Sequence, residues 1–313
     1  MPLRIVFCGT PAFALPALRH LLAQPDFLVE GAVTQPDRPS GRGNEISSPA
    51  VKEAALEAGI AVYQPEKIKS ESAFDYFKRV APDAVVIIAY GQIIPARLIE
   101  IPRLGWINLH ASLLPKYRGA APINWAIVHG ETRTGVTTMR IDAGLDTGPM
   151  LLKHEVDIGP DETAPELSAR LAEAGALLMA ETLSKLDRAE IAPIPQDNSK
   201  ATLAPPLKKE DGRIDWSKPA QKIYNQIRGL LPWPGTFTTF RGKTCQIWGK
   251  PVPEAYAGGP VGIVFPDGGG LVVICGEGTV LRVEDVQLEG RKRVSAGEFL
   301  RGARLTPGEM FGS

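Results

Sequence analysis

The 313-residue sequence has only three cysteines, Cys8, Cys245 and Cys275. They are odd in number and far apart, so neither a disulfide framework nor a paired-cysteine zinc site can be built from them. They are expected to be reduced residues of strands or core. An excess of one charge sign is also lacking: Lys+Arg and Asp+Glu are each 35, a formal net charge of +0. Overall charge therefore gives no bulk attraction to nucleic acid or to an anionic membrane. No apolar run approaches the length of a membrane span, and the opening MPLRIVFCGTPAF turns to Gly and Pro after one short apolar stretch. A signal peptide is not expected, and a cytoplasmic chain is.

What is present is a composition of 44% hydrophobic and 22% charged residues, typical of a chain that buries a sizeable core. The length exceeds what one core usually organises, so two domains are expected, although one extended domain would also fit. Leu3 to Cys8 reads as a strand ending at Gly9-Thr10-Pro11. Thr10 is suited to cap the following helix and Pro11 to occupy its first position. Further strands are expected over Phe27–Thr34, Asp83–Ala89 and Gly105–His110, with helices from Ser48-Pro49 to Ala58 and after Pro122. The Asp83–Ala89 strand is apolar on both faces, as in parallel sheets covered by helices. The first half thus reads as a doubly wound, Rossmann-like α/β sheet.

A long Ala/Leu/Glu-rich helix is expected from Thr163 to about Arg188, and the Pro-rich, polar Ile191–Pro206 stretch is the linker candidate. Beyond Asp211 an amphipathic helix over Ser217–Leu230 precedes short strands at Thr236–Phe240, Thr244–Trp248, Val261–Val264, Leu271–Cys275 and Val280–Leu288. This pattern suggests a small antiparallel barrel. From Lys208 onward 15 basic residues face 11 acidic ones, a mild surplus.

The loop after the first strand, Gly9-Thr10-Pro11-Ala12-Phe13, lacks the G-x-G-x-x-G spacing, so a dinucleotide-dependent oxidoreductase is disfavoured. Asn108-Leu-His110-Ala-Ser-Leu-Leu-Pro-Lys-Tyr-Arg-Gly119 is more informative. Period-two alternation puts Asn108 and His110 on one face at a strand end, the edge where open α/β sheets bind ligands. Either residue alone would read as structural. Downstream, Asp142-Ala-Gly-Leu-Asp146-Thr-Gly-Pro149 is a turn-rich loop with two carboxylates. It reads either as an ordinary Asx-type turn or as a loop returning a carboxylate to His110.

The string Asn-x-His-x-Ser-Leu-Leu-Pro-x-Tyr-Arg-Gly, followed by Gly-Leu-Asp-x-Gly, resembles the formyltransferases that use 10-formyltetrahydrofolate. IVFCGTPAFALPAL, VTQPDRPSGRG, SSPAVKEAALEAGI and DGRIDWSKPAQKIYNQIRGLLPWPGTF are similar to the branch whose acceptor is methionyl-tRNA, across nearly the whole chain. The resemblance implies a folate-binding catalytic domain over 1–190, a linker over 191–207 and a smaller OB-like, tRNA-binding β-barrel over 208–313. It implies Asn108, His110 and Asp146 as catalytic residues. Ser112, Leu113, Leu114 and Pro115 look like the folate signature, with Ile88, Tyr90, Gly91 and Asp142 expected to complete that site. 10-Formyltetrahydrofolate is expected as co-substrate, with no metal, and the chain is expected to be a monomer.

The partner implied is the acceptor stem of initiator methionyl-tRNA, with Arg38, Arg42, Lys208, Lys209, Arg213 and Lys243 as candidate contacts. The insertion over Gln35–Ala50, which the family uses toward the acceptor end, carries no net charge here, because Asp37 and Glu45 oppose Arg38 and Arg42. Grip there is expected to rest on specific contacts, Arg42 foremost, rather than on counterion release. The Arg291-Lys292-Arg293 cluster reads either as a phosphate contact or as a solvated surface.

Formyl transfer is acyl transfer to an amine, so an oxyanion must be stabilised and protons moved. Asn108 offers an uncharged donor to the oxyanion. His110 can donate to the same oxygen or to the departing folate nitrogen, and Asp146 accepts the amine proton, with Asp142 as the alternative acceptor. Two other readings remain: the same chemistry on a sugar-nucleotide amine, and an RNA-binding protein without catalysis.

Overall fold

The computed structural model describes residues 1–40, 45–253, 258–268 and 270–312. The chain divides into two compact units. Met1–Pro122, Arg133–Asp157 and Leu167–Pro205 form the first, and Ile123–Thr132, Ile158–Glu166 and Pro206–Ser313 the second.

Elements run in the order β1 (Leu3–Gly9), α1 (Leu15–Ala23), β2 (Phe27–Val33), β3 (Arg38–Ser40), β4 (Glu45–Ser47), α2 (Ala50–Glu57), β5 (Val62–Tyr63), α3 (Glu71–Val80), β6 (Ala84–Ile88), α4 (Ala96–Ile99) and β7 (Trp106–His110). They continue with β8 (Arg118–Gly119), α5 (Pro122–Val128), β9 (Arg133–Arg140), β10 (Met150–Asp157), α6 (Ala164–Asp187) and β11 (Leu203–Ala204). In the first unit the main sheet has the order β10-β9-β7-β6-β1-β2-β5. Pairing is parallel from β7 to β5, and β9 and β10 add antiparallel strands at one edge. The chain moves outward from β1 through β2 to β5, then returns as β6 on the other side of β1. The switch point between β1 and β6 is where such sheets open a crevice at their carboxyl ends.

β6 and β7 are buried at every position, as the unbroken apolar character of β6 requires in a sheet covered on both faces, and β7 buries the polar Asn108 and His110 as well. On one face Phe77 of α3 packs against Trp106, ring centroids 4.9 Å apart, and the Trp106 indole donates to the Leu98 carbonyl at 2.7 Å. α6 lies close to β7: a Cβ on Gly175 would sit 2.4 Å from Leu109 Cδ2. The buried Thr138 and Thr182 hydroxyls join β9 to α6 at 2.8 Å.

Two local expectations are corrected. Thr10 does not cap the first helix: a 3-10 turn over Ala12–Ala14 with Pro11 as its N-cap comes first, and α1 begins at Leu15. The Thr10 hydroxyl instead donates across the switch point to the Tyr90 carbonyl at 3.3 Å and accepts from the Gln35 N–H. The Val261–Val264 strand begins only at Val264, because Gly262 takes φ +85, a turn conformation that glycine adopts without steric cost. The Ile191–Pro206 stretch, read as a linker, is bonded into the first unit. Ile194 exchanges two 2.8 Å hydrogen bonds with Met150, and β11 pairs in parallel with β8.

The second unit contains α7 (Ala220–Gly229), β12 (Phe237–Phe240), β13 (Lys243–Val252), β14 (Val264–Asp267), β15 (Gly270–Ile274), β16 (Val280–Leu288), β17 (Val294–Ser295) and α8 (Ala296–Ala303). Its antiparallel sheet follows the open path β12-β13-β16-β15-β14, with β17 beside β16. α7 and α8 cover a core in which Trp216 stacks on Phe311, with Phe240 edge-on to Phe299 and Phe311. The buried Arg228 donates to the Gly159 and Glu162 carbonyls and to Asn225, and so fixes α7 to the 158–166 segment.

Among the described residues no helix is long and apolar enough to cross a membrane. All three cysteines are buried and unpaired. Burial pushes the Cys245 and Cys275 thiols up to about 12 and raises Cys8 as well, which suppresses the thiolate that reacts. A disulfide-exchange reagent at neutral pH is therefore expected to find no reactive thiol in the folded chain and three after unfolding. Rapid modification of any of them in the native state would contradict this burial.

Candidate active site

Asn108 and His110 occupy alternate positions at the end of β7 and face the same way. They are 9% and 6% exposed, low values for polar side chains. Asn108 sits between Ile87 of β6 and Met139 of β9 in register, so sheet pairing on both sides fixes its backbone. His110 Nε2 lies 2.8 Å from the Tyr117 carbonyl. A carbonyl only accepts, so Nε2 carries the hydrogen and donates it. Nδ1 then points to Asp146 Oδ2 at 3.6 Å, beyond direct hydrogen-bond range. Such contacts often shorten only when substrate arrives.

The two carboxylates of the loop after β9 have different roles in the structure. Asp142 accepts from the Gly144 N–H at 3.0 Å and from the Thr147 hydroxyl at 2.7 Å, an Asx-type closure of its own loop. Asp146 lies at φ +50, a left-handed conformation that Asp tolerates better than most residues. Its Oδ2 accepts from the Gly119 N–H at 2.9 Å. Gly119 itself needs the absence of a side chain: its φ is +122, and a Cβ would lie 2.6 Å from the Ala204 carbonyl.

The Ser112–Pro115 segment is pinned rather than open. The Ser112 hydroxyl donates to the Lys116 carbonyl at 2.6 Å, and the buried Thr137 hydroxyl donates to the Ser112 carbonyl while accepting from the Leu114 N–H. Lys153 donates to the Leu114 carbonyl. Ser112 and Leu114 are fully buried, leaving Leu113 and Pro115 half-buried. Thr137 was missed by sequence reading because a strand threonine carries no distinguishing signal.

Ile88 ends β6 with its side chain in the core. The Tyr90 ring also points inward, with its hydroxyl buried and without a partner, and burial drives that hydroxyl well above its ordinary pKa. Tyr90 presents its carbonyl to the site, where it accepts from Thr10 and from the Gln35 side chain at 3.0 Å. Gly91 follows at φ +86 and is exposed. Tyr90 and Gly91, but not Ile88, border a crevice of about 730 Å³ at the β1/β6 switch point, which Thr10, Gln35, Arg38, Ser48 and Gln92 also line and which Asn108, His110, Asp142, Asp146 and Ser112–Pro115 do not. Among the described residues no group of three or more His, Cys, Asp or Glu could hold a metal ion.

Of the basic candidates, Arg38 lies on the rim of that crevice and Arg42 lies outside the described residues. Lys208, Lys209 and Arg213 are exposed in the second unit. Lys243 lines a cavity of about 480 Å³ with Arg241, Arg291 and Lys292 over an apolar floor that includes Phe240 and Phe299. Arg293 is drawn away from that group, pairing with Asp285 at 2.6 Å and stacking on Trp248 at 4.0 Å.

The formyl transferase family model matches residues 3–183, and the model of the formyl transferase C-terminal domain matches 206–304. The chain belongs to the formyltransferase family. Among curated relatives this formyltransferase is 53% identical over 311 residues to the methionyl-tRNA formyltransferase of Solibacter usitatus, covering 99% of each chain. It is 51% identical to that of Acidobacterium capsulatum, covering 99% of this chain and 100% of the relative. Among solved structures, an N-formyltransferase from Helicobacter canadensis, in complex with folinic acid and dTDP-3-aminofucose, aligns with TM-score 0.66. Its identity is 17%, with 90% of this chain and 99% of that one covered. HypX from Aquifex aeolicus, in complex with tetrahydrofolic acid, aligns with TM-score 0.60 at 16% identity, over 96% of this chain and 48% of that one. At such identities these two share the fold.

The contrast between the carboxylates is testable by formyl-transfer kinetics. Asp142→Asn keeps an oxygen for Thr147 and Gly144 and is expected to leave kcat within about threefold, any effect falling on the folate KM, whereas Asp146→Asn is expected to lose about 10²–10⁴ in kcat, the usual range for general acid–base assistance. The reverse ranking would exchange the two assignments.

Proposed function

We propose that this chain transfers the formyl group of 10-formyltetrahydrofolate to the α-amino group of methionyl-initiator-tRNA, giving N-formylmethionyl-tRNA. The observation that carries this reading is the 53% likeness over 99% of the chain to a methionyl-tRNA formyltransferase, against 17% for the sugar formyltransferases. We infer a catalytic domain over 1–190, a connecting segment over 191–207 and an OB-like tRNA-binding domain over 208–313, acting as a cytoplasmic monomer without a metal.

In the reaction the amine nitrogen bonds to the formyl carbon, the carbon–N10 bond breaks, the amine loses a proton and N10 gains one. The Asn108 carboxamide is the donor to the oxygen that becomes negative; its support is its burial and shared face with His110. An uncharged donor suits this position, since it strengthens as charge develops without repelling the incoming amine. The His110–Asp146 pair receives the amine proton and returns one to N10. Folate binding is assigned to Ser112–Pro115 with Ile88, Tyr90, Gly91 and Asp142, and its support is a loop held rigid by Thr137 and Lys153. Contacts to tRNA are assigned to Arg38, Arg42, Lys208, Lys209, Arg213 and Lys243.

Formylation of methionyl-initiator-tRNA, followed by acid-gel separation, is expected to be robust for the parent and reduced by about 10²–10³ in kcat for Asn108→Ala. A folded, folate-binding parent that leaves the tRNA unformylated would overturn the reading. For tRNA affinity, Lys243→Gln is expected to reduce the slope of log K against log salt by about 1. An unchanged slope would remove Lys243 from the tRNA surface.

A further inference from the structure

Gln196 lies in the stretch that sequence reading took for a linker, yet its side chain is tied to the Asp146 loop. Its carboxamide nitrogen donates to the Asp146 carbonyl and to the Gly148 carbonyl, each at 2.8 Å. Its oxygen accepts from Arg118 Nε at 3.0 Å and Nη2 at 2.8 Å. Both amide hydrogens and the oxygen are thus used, and a flipped amide would set nitrogen against guanidinium and oxygen against two carbonyls. One orientation is possible.

Arg118 fixes that orientation. It is 7% exposed, and its Nη2 also donates to the Asn198 side-chain oxygen at 2.8 Å. A buried guanidinium needs acceptors for its donors, and here two neutral amides take three of its five N–H groups without a carboxylate that would compete with Asp146. The Asp146 peptide is the one that needs support, since its residue sits at φ +50. With the carbonyl held by Gln196 and Oδ2 by the Gly119 N–H, that same Oδ2 is kept 3.6 Å from His110 Nδ1.

We propose that Gln196 is a positioning residue for formyl transfer: its carboxamide, oriented by Arg118, holds the Asp146 backbone so that the carboxylate faces His110. This rests on the reading that Asp146 and His110 serve the transfer. Gln196 touches no reacting atom.

The test uses the full chain with ¹³C-labelled histidine. There are four histidines, and His110 is assigned by the signal lost in His110→Gln. Gln196→Glu keeps an acceptor for Arg118 but sets an oxygen against the two carbonyls, so the thermal midpoint is expected to fall, and kinetics and spectra are read well below it on the folded chain. Its kcat is expected to fall about 10- to 100-fold, the scale of a small misplacement of a catalytic group, with both KM values nearly unchanged. The His110 ring signal should move toward its position in Asp146→Asn. Gln196→Met, which removes every hydrogen bond at similar volume, gives the same shift and a loss at least as large. An unmoved His110 signal in folded Gln196→Glu overturns the proposal whatever the activity, as does a kcat equal to the parent's. Full transfer by Asp146→Asn would refute the catalytic reading of that carboxylate, and the His110 signal would still report whether Gln196 orients it.

Discussion

Residues 111–121 leave the sheet at the end of β7, and their buried backbone groups must find partners outside any main ladder. They find them chiefly in the 202–204 segment. Tyr117 N–H donates to the Thr202 hydroxyl, Arg118 N–H to the Thr202 carbonyl and Ala121 N–H to the Ala204 carbonyl. This docking turns an irregular loop into a fixed one. Once it is fixed, the Tyr117 carbonyl can hold the His110 ring and the Gly119 N–H can hold Asp146. Side chains from a strand and two loops thus depend on a contact between a backbone N–H and a hydroxyl 85 residues away in sequence.

The same economy of partners explains why neighbouring residues of one chemical type differ in role. Asp142 and Asp146 are both loop carboxylates, but Thr147 and Gly144 satisfy the first, while the second accepts from the Gly119 N–H through the same Oδ2 that faces His110. Thr10 had a helix start available and instead bridges to Tyr90. The cause is local: the 3-10 turn at Ala12–Ala14 postpones the helix, and the Tyr90 carbonyl at the switch point accepts from Thr10 as well as from Gln35.

The doubly wound sheet was legible because β1, β6 and β7 are short, apolar and spaced by helical patterns. Asn108 and His110 were legible because strand period alone places them on one face. What could not be read depended on contacts distant in sequence. Gln196 and Arg118 meet across 78 residues, and nothing in a Pro-rich, polar stretch distinguishes a structural clamp from a tether. Likewise the choice between Asp142 and Asp146 turns on a backbone N–H that has no sequence signature. In the second unit the strand expected at Val261 was misplaced because its apolar residues were legible but the left-handed Gly262 was not.

The hydrogen bond from His110 Nε2 to the Tyr117 carbonyl also decides how protons can move. That nitrogen is committed as a donor in every protonation state, so only Nδ1 can exchange a proton with Asp146 or with substrate. The Asp146 carboxylate, held by Gly119, cannot turn away to solvent without losing that bond. In the proposed transfer, a proton taken from the amine would therefore pass by way of Nδ1 and Asp146, and the same side of the ring would return one to the leaving nitrogen. The Tyr117 carbonyl, presented by a residue at φ +59, is thus the backbone group that decides which ring nitrogen of His110 faces Asp146.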